Sequence, residues 1–278
     1  MLASYDGRIG LSATPERHYD EEGTTYLLEY FNGVVFKFTL ADAIRKYLTQ
    51  YDYHPVIVEM TQKELEDYRE LTKQMAAAYA NDDGPEEIVE NLARKRSRLV
   101  KSAENKYDAL RDVLDEIGQV DHFLAYTNPQ QIDRVQEVLN ECGVIQHKFT
   151  FKEDNEERQR LLELFDKGDY DALVAMRCLD EGVNVPSTRQ AILMSNSGNP
   201  MQFVQRRGRL LRQYPGKDKA VIYDLIVVPS MDPPPDVRES EKNLLRKELD
   251  RFEEFAGNAR NEHQARNKIE RLRMVYEI

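Results

Sequence analysis

Apolar residues along this 278-residue chain fall into three regimes of spacing. In the first, residues 8–13 read as a short buried strand ending in a turn at Thr14-Pro15. A modest helix over 26–31 and a β-rich run, Val34-Val35-Phe36-Lys37-Phe38, follow, and a strand over 55–60 closes the entry region. Leu65, Tyr68, Thr72, Met75 and Tyr79 then recur at helical spacing up to the breaker Asn81-Asp82-Asp83-Gly84-Pro85. A second helix carries Ile88, Leu92 and Leu99, and a third Leu110, Val113, Leu114 and Ile117. The helices ahead of Lys106 predict an insertion or protruding arm.

From residue 120 short apolar strands alternate with amphipathic helices. Strands are expected at 122–126, 145–149, 172–176, 190–194 and 220–228, and helices at 130–140, 156–165 and 201–213. That alternation predicts an α/β fold, a parallel sheet covered on both faces. The proline-rich run 229–235 reads as a stiff connector. Beyond it Leu245, Leu249, Phe252, Ala256 and Ala259, then Ile269, Leu272 and Tyr276, mark a two-part helical tail expected to pack back on its own lobe.

Composition narrows the picture only a little. No apolar run approaches the roughly 18 residues of a membrane span, and no basic flank precedes an apolar stretch at the N-terminus. Cys142 and Cys178 are too few for a disulfide framework or a four-ligand zinc site and read as ordinary buried thiols. No metal site is assigned, and the five scattered histidines receive no catalytic role. The expectation is an intracellular, reduced protein, cytoplasmic or, in a eukaryote, nuclear. A net charge of −11 argues against coating nucleic acid by charge alone, but leaves room for one local groove that grips a strand.

The most informative segment is Gln205-Arg206-Arg207-Gly208-Arg209-Leu210-Leu211-Arg212. On a helix Gln205, Arg209 and Arg212 share one face, and Val204, Gly208 and Leu211 lie on an adjacent stripe facing the sheet, with Gly208 allowing close approach. Two guanidiniums one turn apart suit a terminal phosphate, each offering a rigid fork of donors. A solvated basic helix face is the competing reading. Upstream, Leu179-Asp180-Glu181-Gly182-Val183-Asn184-Val185-Pro186 follows a strand, at the end where open α/β sheets bind ligands. Near the N-terminus, Leu11-Ser12-Ala13-Thr14-Pro15 places two hydroxyls on a tight turn.

Taken in order, Ser-Ala-Thr-Pro, a strand-end Tyr126-Thr127, Asp-Glu-Gly-x-x-x-Pro and Gln-x-x-Gly-Arg-x-x-Arg resemble motifs III, IV, V and VI of the superfamily 2 helicases of the DEAD/DEAH type. The resemblance runs from about residue 8 to 229 and is nearest in flavour to XPB-type repair helicases and restriction-type helicase subunits. It implies a RecA-like (P-loop NTPase-type) lobe over 51–229 with a helical insertion at about 62–104. Residues 1–50 would be a remnant of the first lobe with its linker, and 236–278 a C-terminal helical tail.

The resemblance also implies roles. Arg209 and Arg212 would reach the γ-phosphate of ATP as arginine fingers, with Gln205 and Gly208 beside them. Gly182 and Asn184 would sit by the nucleotide sugar. Many relatives carry Asp where this chain has Asn184, and Ser or Thr where it has Met176. Ser12 and Thr14 match the motif that couples hydrolysis to lobe movement, and Thr127 a region that contacts nucleic-acid backbone. The basic cluster Arg94, Lys95, Arg96, Arg98 and Lys101 falls where related helicases carry thumb-like insertions, so Arg94, Arg96 and Arg98 are candidates for strand contact against a solvated helix face.

No Gly-x-x-x-x-Gly-Lys-Ser/Thr loop occurs in the chain, and Asp115-Glu116 lies in a helix rather than after a strand. The chain is therefore expected to be truncated, a fragment or a separately encoded half. Alone it would not hydrolyse ATP, and it would need an N-terminal ATP-binding lobe that also holds Mg2+. DNA is the expected partner and RNA the alternative. A degenerate lobe that only binds nucleic acid or protein is the rival reading.

Overall fold

The computed structural model describes residues 7–12, 20–44, 46–80, 86–150, 152–176, 185–195, 207–233 and 239–278. Its centre is a six-stranded sheet, parallel at every pairing: β1 (Gln50–Glu59), β2 (Phe123–Thr127), β3 (Gln146–Phe149), β4 (Ala172–Met176), β5 (Gln190–Leu193) and β6 (Lys219–Val228), in the order β1-β6-β5-β2-β4-β3. β2 and β4 are buried at every position, as expected of strands covered on both faces. Strand order reverses between β5 and β2, which makes the carboxyl edge there the topological switch point.

The helices preceding the sheet core are α1 (Glu21–Tyr30), α2 (Leu40–Ala43), α3 (Gln62–Ala80), α4 (Glu86–Lys101) and α5 (Lys106–Ile117). Between strands lie α6 (Ile132–Glu141), α7 (Asn155–Lys167) and a helical turn at 207–210. The tail comprises α8 (Glu239–Ala256) and α9 (Glu262–Tyr276). Two apolar clusters sandwich the sheet. One joins Tyr51, Tyr53, Leu124, Phe149 and Phe165 to Leu245, Phe252, Phe255, Ile269 and Tyr276 of the tail. The other joins Val58, Phe123, Val174 and Leu225 to Leu110, Val113, Val135 and Leu139 of α5 and α6. The tail thus packs back on its own lobe.

β1 starts at Gln50, well before the expected 55, because Tyr51 and Tyr53 alternate with polar Asp52 and His54 and point their rings into the core. Pro55 is tolerated because β1 is an edge strand. The tail covers that edge: the Asn261 amide accepts from the Tyr53 N–H (2.8 Å) and donates to its carbonyl (3.0 Å), and the Arg260 N–H donates to the Tyr51 carbonyl (2.9 Å). An edge so capped is closed to further strand pairing.

Two expected strands are not seen. Residues 7–12 form no strand among the described residues, with Ile9 and Leu11 exposed, and 34–38 are irregular, with Val35 and Phe36 exposed. Apolar alternation specifies a strand only where a neighbouring edge accepts its hydrogen bonds, and neither segment meets one among the described residues. Tyr79 and Ile88, expected inside by their spacing, are exposed on α3 and α4. Cys142 is exposed at the end of α6 rather than buried, and Cys178 lies outside the described residues. Among the described residues no helix is long and apolar enough to cross a membrane.

Candidate nucleotide and nucleic-acid site

The parallel strands carry their carboxyl ends to one edge, and the loops expected to bind ligand leave from there. Thr127 ends β2 and is buried, its Oγ1 without a hydrogen-bond partner among the described residues. Asn128 follows with Pro129, and its Oδ1 accepts the N–H groups of Gln130 (2.9 Å) and Gln131 (3.1 Å), the local turn that starts α6. Asn128 Nδ2 reaches Ser102 Oγ (3.3 Å) and Ser195 Oγ (3.4 Å), joining β2, β5 and the base of the helical hairpin.

Lys106 completes this junction. Its ammonium is buried and donates to the carbonyls of Lys101 (2.9 Å), at the end of α4, and Met194 (2.8 Å), just past β5. Asn105 Nδ2 donates to the Glu59 carbonyl at the end of β1 (2.8 Å), so the hairpin base is pinned across the carboxyl edge. Burial pushes the Lys106 ammonium down to about 8 from 10.5. The folded chain sheds this proton near pH 8 while the unfolded chain keeps it to about 10.5. Stability contributed at this position is therefore lowest below pH 8 and rises with pH up to 10.5, by at most about 1.4 kcal/mol per unit. Lys106→Met is expected to flatten the rise of unfolding free energy between pH 8 and 10, measured by urea titration beside the wild type.

On α4 the basic residues divide. Arg96 turns toward α3, donating to Thr72 Oγ1 (3.2 Å) with its guanidinium 5.4 Å from the Tyr68 ring centroid. Arg94 pairs with Glu90 one turn back (2.6 Å) and, like Lys95 and Arg98, is exposed. The basic cluster thus lies in the half of α4 nearer the carboxyl edge, with Arg96 bracing the hairpin.

The last helical turn of the Gln-x-x-Gly-Arg-x-x-Arg segment is described from residue 207. Leu210 and Leu211 are buried, Gly208 and Arg209 half-buried and Arg212 exposed. A Cβ at Gly208 would meet nothing described within 4 Å, so close helix–sheet approach does not explain this glycine. The turn is anchored at its end. Lys217 Nζ donates to the carbonyls of Leu210 (2.5 Å), Arg212 (3.3 Å) and Pro186 (3.1 Å). The Thr49 N–H donates to the Leu211 carbonyl (2.7 Å), and Leu48 bridges to Arg212. One buried ammonium thereby ties the exit of the Asp-Glu-Gly loop to the exit of the arginine helix. Burial lowers Lys217 to about 8.

Of the other sequence-predicted residues, Ser12 is exposed in the N-terminal segment. Gln205, Gly182, Asn184 and Thr14 lie outside the described residues. Thr127 and the base of α4 come together at the carboxyl edge, whereas Arg209 and Arg212 sit on the turn that descends to the amino end of β6. Lys106, Lys217 and Arg207, all buried cations, were not singled out from sequence. Only the turn residues Pro215-Gly216 beside Lys217 gave any local signal.

Residues 105–213 match the helicase conserved C-terminal domain family. The chain is 28% identical over 240 residues to the DNA 3'-5' translocase XPB2 of Sulfurisphaera tokodaii, covering 79% of this chain and 52% of that protein. It is 25% identical over 223 residues to the putative helicase 22 of a Sulfolobus islandicus filamentous virus, covering 79% of this chain and 37% of the viral protein. The chain thus spans about half or less of the length of these relatives. In fold it is similar to the Sulfolobus solfataricus SWI2/SNF2 ATPase core solved in complex with dsDNA, with a TM-score of 0.53 at 14% identity, covering 84% of this chain and 50% of that one. Residues 105–213 thus match a helicase conserved C-terminal domain, set in a six-stranded parallel sheet of RecA-like fold.

Proposed function

We propose that this chain is the C-terminal half of an ATP-dependent DNA helicase or translocase, supplying arginine fingers and strand contacts to a site completed by a separate ATP-binding lobe. The observation that carries this reading is the anchored turn of the arginine helix. Arg207 points inward, Arg209 lies two residues on and hence on the opposite side, and both ends of the turn are tied down. Arginines held in this way suit the terminal phosphate of ATP, where preorganised positive charge stabilises charge developing in transfer. When bound, ATP supplies the phosphoryl group and Mg2+ neutralises its oxygens, with the metal's ligands in the other lobe.

Gln205 and Gly208 complete the phosphate end in this reading, and Gly182 and Asn184 take the ribose side. Ser12 and Thr14, in a remnant of the first lobe within residues 1–50, couple hydrolysis to movement. Thr127 faces the strand backbone across the carboxyl edge, with Arg94 and Arg98 beside it on an insertion over 62–104. DNA is preferred over RNA because the translocase named above is described as acting on DNA. Purified alone, the chain is expected to release no phosphate from ATP. Combined with its ATP-binding lobe it should do so, with stimulation by duplex DNA exceeding that by RNA. If the combined protein binds DNA yet never hydrolyses ATP, the lobe is a binding module and the motor reading is wrong.

Arg94→Glu with Arg98→Glu is expected to weaken DNA binding by the complete protein roughly tenfold or more and to reduce the slope of log affinity against log salt by about 2. Arg96→Ala should act differently, loosening the hairpin with little change in that slope. Fluorescence anisotropy over a salt series separates the two, and an unchanged slope in the double variant would remove the arm from the strand path.

A further inference from the structure

Within the arginine-rich helix one arginine is used for something other than ligand. Arg207 is 2% exposed, the largest side chain among those almost wholly buried. Its Nη1 donates to the backbone carbonyl of Glu254 and its Nη2 to the Glu254 carboxylate, both on the tail helix α8. Its guanidinium lies 5.2 Å from the centroid of the Phe255 ring, which stacks on Tyr53 of β1 (centroids 5.5 Å apart). Beside them the Tyr51 hydroxyl donates to the Phe255 carbonyl (2.5 Å). The last turn of α8 is thus fastened at once to the edge strand and to the arginine helix, at the residue two before Arg209.

A buried guanidinium is costly without partners, and leucine would fill an apolar helix face at lower cost. An arginine here gives directional bonds in return: a planar fork that binds one carbonyl and one carboxylate fixes the rotation of the helix about its axis, which apolar packing does not. Rotation about that axis is the coordinate that decides where Arg209 points, because residues 207 and 209 project about 200° apart. Among the described residues, Lys217 and Thr49 hold the end of the turn and Arg207 holds its start.

We propose that Arg207 and Glu254 form a positioning pair through which the C-terminal tail sets the orientation of Arg209 and Arg212, making the tail a working part of the nucleotide site rather than a cover for the sheet. The link to catalysis rests on the motor reading above, but the positioning itself does not. Anything that lifts the last turn of α8 would disengage the arginines at the same time.

Two variants test this. Glu254→Ala changes a half-exposed residue to a strong helix former and removes the carboxylate, so the fold should survive. Arg207→Lys keeps the charge but lacks the fork. In the chain alone, hydrogen exchange at the amides of Leu211 and Arg212 is expected to quicken roughly tenfold in both variants, while amides of β2 and β4 keep their protection. In the complete protein kcat for ATP should fall roughly tenfold with KM and DNA affinity little changed, since positioning acts on the transition state. Unchanged exchange at Leu211 and Arg212 overturns the proposal whatever the kinetics, and so does faster exchange with an undiminished kcat. If the wild-type protein itself never turns over ATP, the motor reading fails and the exchange result alone decides the pair.

Discussion

Replacing Arg209 or Arg212 by alanine is expected to lower DNA-stimulated ATP turnover by about three orders of magnitude once an ATP-binding lobe is present. The size follows from where such arginines act. A guanidinium poised at a transferring phosphoryl group meets charge that is larger in the transition state than in bound ATP, so its removal lowers kcat more than it raises KM. Neither substitution should harm the fold, because Arg212 is exposed, Arg209 is half-buried, and the turn is held by Arg207, Leu210, Leu211 and Lys217 instead. Far-ultraviolet circular dichroism and the urea midpoint should match the wild type. A single-turnover measurement at saturating ATP is the decisive readout. Variants that retain wild-type turnover would mean the arginine face serves some other anion or none.

The largest expected loss of stability lies elsewhere, in Arg251. Asp224 on β6 is fully buried and accepts from the Tyr53 hydroxyl (2.8 Å) and Arg251 Nε (2.9 Å). Arg251, on α8, also donates to the Leu225 carbonyl (3.3 Å) and to Glu248 (2.8 Å). Burial alone would lower the Arg251 guanidinium, but the carboxylates of Asp224 and Glu248 outweigh it and hold it well above its ordinary value. Burial, reinforced by Asp224, likewise holds the Tyr53 phenol well above its usual range. Arg251→Met would leave Asp224 charged and buried without its guanidinium, a loss of about 3–5 kcal/mol in unfolding free energy. The double variant Asp224→Leu, Arg251→Met should recover most of it, because an apolar pair of similar volume removes both desolvation costs. Equilibrium urea unfolding of the two proteins measures the difference. A single variant within about 1 kcal/mol of wild type would show that water reaches the pair.

Lys106 and Arg207 share one physical theme with Arg251. Each is a cation inside an acidic, mostly apolar lobe, and each satisfies backbone carbonyls or carboxylates at a junction between elements. Such groups contribute less to stability than to fixing one arrangement over its neighbours, the role proposed above for Arg207.

Periodicity along the chain foretold β4 to the residue and β2, β3, β5 and β6 within one or two. The reason is physical: a strand buried on both faces must be apolar at every position, and an interstrand helix must be apolar on one stripe, so each writes a local pattern. Motif order likewise pointed to the helicase conserved C-terminal domain that residues 105–213 match. The same logic failed at 8–12 and 34–38, where apolar residues have no partner edge among the described residues, and at Gly208, which meets nothing described within 4 Å. Which arginine of Gln205 to Arg212 faces inward, which tail residue receives it, and that Lys217 joins Pro186 to Leu210 were settled only in three dimensions. Those contacts bridge 31 and 47 residues of sequence, and no local pattern encodes a partner that far away. Sequence alone therefore determined the strands from β2 onward and the helices between them, because these depend on near neighbours. Only the tertiary structure decided which charges are spent on holding the lobe, because that depends on burial, and burial is a property of the assembled sheet and tail.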